Sequence, residues 1–304
     1  MFDVALSTMW AIGQFQSLAD FFVAGEGLGY TGFELNHEVD SAMLNGLPLS
    51  SYRITSIHEP CPADISTAEL KARDWLISSL EEESRQQGVR AIQRSINLAQ
   101  ELGVSVIVVH PGKVDIDRQL EPAVWNLSET GQAGTLAYQE AKERLIDGRA
   151  AAADAHLDAV RRSLVELADH AGRAGVRLGL ENRYYYQDIP LLDEMGMLLE
   201  LTNDERIGFW YDVGHAQALE NLGLVAHEVW LKRYAPRMLG VHLHDLKGLK
   251  DHFAAGLGEI DWDMVAANLP EDAIRVCEFR SFNQPAQVAA AMQFLADKGC
   301  VALS

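Results

Sequence analysis

The 304 residues predict an α/β protein, a single (β/α)8 barrel with a parallel eight-stranded core and a long excursion after the fourth strand. Three observations carry the prediction. Short runs rich in β-branched and aliphatic residues recur along the whole length, helix-period segments separate them, and no linker or low-complexity stretch breaks the alternation. The candidate strands are VALSTMW (4–10), GFELNH (32–37), ITSIHEP (54–60) and SVIVVHPG (105–112), followed by RLGLENR (177–183), IGFWYDVGH (207–215), LGVHLHD (239–245) and RVCEFR (275–280). Eight such runs without a break read as one domain over residues 1–304.

Amphipathic helices are expected between the strands. In 91–102, Ile92, Ile96 and Ala99 mark one face; in 156–174, Leu157, Val160, Leu164 and Leu167 do. Gly103, Gly175 and Gly299 stand where a helix should end in a left-handed cap. The connection from Pro111 to about Leu157 is too long for an ordinary βα loop, and its composition, with Trp125 and a helical-looking 138–153, predicts an ordered excursion over the barrel mouth. An open doubly wound sheet is the alternative, but Trp10-Ala11-Ile12-Gly13 stands where its phosphate-binding glycines belong.

Charge narrows the possible partners. With 25 Lys and Arg against 44 Asp and Glu, the net charge of −19 repels phosphate backbones and acidic membrane surfaces, so neither nucleic acid nor membrane is expected. Cys61, Cys277 and Cys300 are widely spaced and form no C-x-x-C pair, which reads as reduced thiols in a cytoplasmic protein. The opening Met1-Phe2-Asp3-Val4-Ala5-Leu6 has no signal-peptide pattern, and no run is long enough to span a membrane.

Ionisable residues gather at the C-terminal ends of the expected strands. In chain order these are Glu34, His37, His58, Glu59, His110, Glu181, Asp212, His215, His242, His244, Asp245, Glu278 and Arg280, and they include six of the ten histidines. A closed barrel brings those ends to one mouth, where barrel enzymes carry their active sites. So many carboxylates side by side resist joint ionisation unless a cation compensates them. Carboxylate oxygen with imidazole nitrogen and no converging thiolate suits one divalent ion: manganese, zinc, cobalt or magnesium. A strand-end acid is also the ordinary place of a helix N-cap, the competing reading for Glu34, Glu59 and Asp245, and His37 and His244 compete as hydrogen-bonded core residues. For Glu181, Asp212, His242 and Glu278 together that reading would require four independent coincidences.

The pieces SIHEP, VVHPG, GLEN, YDVGHA, GVHLHD with the later GLGEID, and CEFR appear in order over about residues 54–280. In these the chain resembles the xylose isomerase-like TIM-barrel superfamily, which holds sugar phosphate isomerases and epimerases, ketose 3-epimerases, inosose dehydratases and endonuclease IV. The resemblance implies that Glu181, Asp212, His242 and Glu278 are the four ligands of the shared metal. It makes His58 and His110 either ligands of a second metal or substrate contacts, and places His215 and His252 where endonuclease IV holds a third. The D-x-H element of that nuclease is replaced here by the adjacent pair Asp251-His252, which speaks against a complete three-metal site.

The implied activity is a metal-dependent sugar or sugar phosphate isomerase or epimerase working through an enediolate, with Glu181 and Glu278 as base and acid on a small carbohydrate or polyol. His58, His110, Arg183, His215 and Arg280 are the expected hydroxyl contacts. A lyase or dehydratase on a keto sugar is the alternative, since the same enediolate can expel a β-leaving group; the acidic charge disfavours a repair nuclease. A phosphate subsite would rest on Lys247, Lys250 and Arg280. Tyr184-Tyr185-Tyr186 and Trp210 read as rim and core packing, Ile260 and Trp262 as a staple for the last loop, and Glu81-Glu82-Glu83 as a solvated helix face. Homo-oligomers are expected by analogy.

Overall fold

The computed structural model describes residues 3–202 and 205–302, so Met1 and Phe2 of the N-terminal reading lie outside the described residues. Ten strands follow in chain order: β1 (Ala5–Ser7), β2 (Gly32–Leu35), β3 (Ile54–His58), β4 (Val106–Val109), β5 (Arg177–Glu181), β6 (Ile207–Asp212), β7 (Met238–Leu243), β8 (Asp245–Lys247), β9 (Lys250–Phe253) and β10 (Ile274–Cys277). Eight of them close a parallel barrel in the order β1-β10-β7-β6-β5-β4-β3-β2, while β8 and β9 form a separate antiparallel hairpin. The predicted barrel is the observed one.

Strand alternation decides what faces inward. Phe33 and Leu35, Ile57, Leu178 and Leu180, Phe209 and Tyr211, and Val241 and Leu243 all join the core shared with the surrounding helices. The residues between them, Glu34, Ser56, Gly179, Trp210 and the terminal His58, Glu181, Asp212 and His242, face the barrel axis. A small interior cluster of Ala5, Val106, Val108, Trp210, Leu239 and Val276 plugs the lower barrel. Trp210 fits there because two neighbours lack side chains. A Cβ on Gly240 would stand 2.4 Å from the indole, and one on Gly179 3.1 Å.

Strand ends differ from the sequence reading in three places. After Ser7 the chain turns into a 3-10 helix (Thr8–Ala11), because the Ser7 hydroxyl accepts the Met9 amide. The sixth run stops at Asp212, whose side chain caps the helix Val213–Asn221 by accepting the His215 amide, so His215 sits in a helical first turn and not on a strand. Asp245 leaves β7 and opens the hairpin instead; it accepts hydrogen bonds from Leu246 N, Gly256 N, Ile260 N and Trp262 Nε1. It is buried and organises the last loop, and is neither a helix N-cap nor among the acids around His242.

The excursion is ordered. It carries a helix at Leu120–Glu129 and then one unbroken 39-residue helix, Leu136–Ala174, where the sequence suggested two. Asp154-Ala155 between the two expected pieces contains neither glycine nor proline to end a helix. Gly103 and Gly175 close their helices in the left-handed region at φ 70° and 71°. The three cysteines are free and buried. No helix among the described residues is long and apolar enough to cross a membrane.

Candidate active site

His242 is the hub of the barrel mouth. Its Nδ1 lies 2.8 Å from Glu181 Oε1, 3.6 Å from Asp212 Oδ2 and 3.5 Å from Glu278 Oε2. All four side chains are essentially inaccessible to solvent. β5, β6 and β7 supply the first three at neighbouring strand ends, with Asp212 directly in register with His242, and Glu278 follows β10 on the other side. The edge-on Trp210 ring, centroid 5.2 Å from that of His242, forms the floor.

A second layer fixes this arrangement. The opposite imidazole nitrogen, His242 Nε2, donates to Glu34 Oε1 and Oε2 at 3.2 and 3.1 Å, and Ser56 Oγ donates to Glu34 at 2.7 Å. Nδ1 donates to Glu181 Oε1 at 2.8 Å, so both imidazole nitrogens face carboxylates; a proton kept on Nε2 by Glu34 would free the Nδ1 lone pair for a cation. His244 donates from Nε2 to Asp212 at 3.0 Å and accepts the His252 amide at Nδ1 at 3.1 Å. Asn182 brackets β6 by accepting the Asp212 amide and donating to its carbonyl.

The electrostatics pair the buried acids with cationic neighbours. Burial alone would raise the Glu181 carboxyl, but Arg183, His110 and His215 outweigh it and hold it well below the usual carboxylate range. Burial likewise opposes ionisation of Asp212, and His215 and His244 overcome it. The His242 imidazole, though burial would lower it, is driven well above its ordinary value by Glu278, Glu34, Asp212 and Glu181. Glu278 Oε1 has no hydrogen-bond partner among the described residues, and His58 Nδ1 faces it at 3.3 Å without bonding geometry. Buried, unsatisfied and crowded acids are what a bound cation would relieve. Ligand atoms about 2.1 Å from a tetrahedral centre stand about 3.4 Å apart, close to the spacings around Nδ1. Glu181, Asp212 and His242 bring ligand atoms within 4.8 Å of one another, a donor set that fits a divalent ion, while Glu278 groups with Glu34, His58 and His242.

Above this cluster opens a cavity of about 360 Å³. His58, His110, Arg183, His215, His252 and Arg280, the six residues expected to contact substrate or further metal, all line it. The Arg183 guanidinium pairs with Glu181 Oε2, which His110 Nε2 also approaches at 3.0 Å. Arg280 pairs with Glu38 at 2.6 Å. The adjacent pair Asp251-His252 does not scatter the third group: ligand atoms of His215, Asp251 and His252 lie within 4.8 Å of one another, with His252 in the left-handed region at φ 57°.

Several participants were not assigned from sequence. Glu34 and His244 stood at strand ends but carried the competing readings, and alternation along GFEL, with Phe33 and Leu35 outward, is the signal that turns Glu34 inward. Lys71, from the short helix Thr67–Ala72, reaches the same cavity, and nothing in its local sequence marks it. Lys247 and Lys250 instead lie over the Phe253 ring.

Among curated proteins, the chain is 26% identical over 200 residues to the uncharacterized protein MJ1311 of Methanocaldococcus jannaschii, covering 64% of this chain and 56% of that one. It is 25% identical over 197 residues to the uncharacterized protein y4fM of Sinorhizobium fredii, covering 64% and 50%. The chain thus spans about half the length of the curated relatives it matches. Among solved structures it resembles an L-ribulose 3-epimerase (17% identity, TM-score 0.67, covering 98% of this chain and 95% of that one). It also resembles the 3-keto-D-glucoside 4-epimerase of E. coli (16%, 0.65, 98% and 100%) and the IOLI protein with a zinc atom bound (15%, 0.61, 97% and 96%). At these identities the likeness shows the fold. A family model described as xylose isomerase-like TIM barrel matches residues 23–298, nearly the whole barrel, and the chain belongs to that family.

Proposed function

We propose that the protein is a metal-dependent sugar isomerase or epimerase that moves a proton at the carbon beside a carbonyl. The observation carrying this reading is the approach of Glu181, Asp212 and Glu278 to His242 Nδ1 at the floor of a polar cavity. Sugar epimerases and a zinc-bound protein among the structural relatives support it.

Glu181, Asp212, His242 and Glu278 would hold one divalent ion. Bound there, the ion supplies a Lewis acid for a substrate carbonyl and its neighbouring hydroxyl. Arg183 and His110 keep Glu181 ionised, the form a base needs, so one glutamate takes the proton from carbon and the enediolate receives a proton from the other. Glu278, its Oε1 unpartnered, is the second glutamate. His58, His110, His215, His252 and Arg280 offer donors and acceptors around the cavity to orient hydroxyl groups. Arg183 already places a positive charge beside His110 and Glu181, which favours a single resident cation over a cluster.

The test starts with metal content. Dialysed protein should carry about one manganese, zinc or cobalt per chain, and Glu181→Ala and His242→Ala variants that keep their circular dichroism should lose it. The loaded protein incubated with keto sugars in deuterium oxide should exchange a carbon-bound proton. Exchange with recovered isomer identifies the epimerase; exchange with loss of a β-substituent identifies the lyase. Loaded protein that exchanges no keto sugar would sink the proposal.

A further inference from the structure

Three basic side chains converge beside the metal cavity, in a protein whose acids outnumber its bases by 44 to 25. Lys71, Lys113 and Arg118 line an outer cavity of about 560 Å³ together with Trp125 and Tyr185. Lys71 and Arg118 have no carboxylate partner among the described residues, and the nearest to Lys113 is Asp115 at 3.8 Å. The two acids in the same wall are engaged elsewhere: Glu121 accepts the Tyr186 and Gln187 amides at 2.5 and 3.2 Å, and Asp117 accepts the Gln119 amide at 2.9 Å. Lys71 and Arg118 are exposed and Lys113 partly so.

This outer cavity shares wall residues with the inner one. Lys71 and Tyr185 line both, and a small cavity of about 40 Å³ has Lys71 and Lys113 of the outer wall and Lys71, His110 and Arg183 of the inner one in its lining, with Glu59 and Asp188. Aromatic rings line both cavities. Trp125 stands 5.0 Å from Tyr184 and 5.4 Å from Tyr185, and Tyr184 stands 5.5 Å from the His215 ring at the inner cavity. Flat aromatic faces suit the apolar face of a sugar ring, and unpaired Lys and Arg suit carboxylate or phosphate oxygens.

We propose that the outer cavity is a second substrate subsite, in which Trp125 and Tyr185 carry a sugar ring and Lys71, Lys113 and Arg118 hold a carboxylate or phosphate attached to it. The substrate would then extend beyond a single neutral ketose, with the reacting carbon over the metal ligands and its anionic part outside. The extended substrate rests on the sugar-enzyme reading above; the binding itself does not depend on turnover.

Metal-loaded full-length protein is titrated with glucose, glucuronate and glucose 6-phosphate, with binding read by saturation-transfer NMR and tryptophan fluorescence. One or both anionic sugars should bind at least about tenfold more tightly than glucose, and their order tells carboxylate from phosphate. Lys71→Ala/Arg118→Ala should remove that advantage while metal content stays the same, and Trp125→Ala should weaken all three ligands. Equal binding of the three sugars, no binding of any, or an anion preference that survives in the double variant but is lost in Glu181→Ala would overturn the subsite. Proton exchange is scored separately in the same preparations, so failure of the catalytic reading and failure of the subsite give different results.

Discussion

At the scale of single residues, the candidate site is a hierarchy of hydrogen bonds around one imidazole. Glu34 does not approach Nδ1, yet it fixes which nitrogen of His242 faces the acids. Glu34→Gln should keep the fold and weaken metal binding by about tenfold or more, because partners behind a ligating histidine set its orientation and basicity. Competition with a chromogenic chelator measures this, and an unchanged affinity would remove Glu34 from the site. That Glu181, Asp212, His242 and Glu278 come to one mouth was legible in the sequence because each lies at or just beside the C-terminal end of a barrel strand, and those ends must meet. Lys71 and Trp125 were not, because they come from excursions whose direction is decided by packing far along the chain.

Among elements, the 39-residue helix, besides its apolar packing, is joined to the helix Leu192–Leu199 by a buried ion pair. Arg149 meets Glu194 in a two-pronged contact at 2.6 and 2.8 Å and donates to the Asp188 carbonyl at 2.9 Å, while Glu194 accepts the Leu191 amide that opens its own helix. Arg149→Met leaves that carboxylate buried alone and should cost about 3–5 kcal/mol, read by denaturant unfolding. Burial of Glu121 in the helix over the mouth pushes its carboxyl up to about 7, above the ordinary 4.5. Its stabilising contribution is therefore full below about pH 4.5 and is lost as pH rises through 7, by at most about 3 kcal/mol. Glu121→Gln should gain on the wild type over that interval when unfolding is compared at pH 4.5 and 7.5; a pH-independent difference would refute the shift. The eight barrel strands were readable from hydrophobic runs, but their ends were not. Ser7 and Asp212 stop their strands by capping the helices that begin one residue later, a choice made by side-chain geometry that composition does not record.

For the whole molecule, the acids at the mouth are a local instance of a chain with net charge −19. A cation that binds only the folded barrel stabilises it by about 2.7 kcal/mol at a hundred times its dissociation constant. Thermal unfolding should therefore shift upward by several degrees with manganese or zinc in wild type, and by much less in His242→Ala. An equal shift in both would mean that the ions act on the surface charge and not at the site.

Trp210 blocks the barrel beneath His242, and Gly179 and Gly240 leave it no slack. The well above it is thus closed from below, and whatever enters it comes from the side of the mouth. If the proposed ion and sugar share this well, the ion should bind before the sugar and leave after it. Chelators should strip the protein at a rate that falls as a bound sugar accumulates, which stopped-flow mixing with and without ligand can follow.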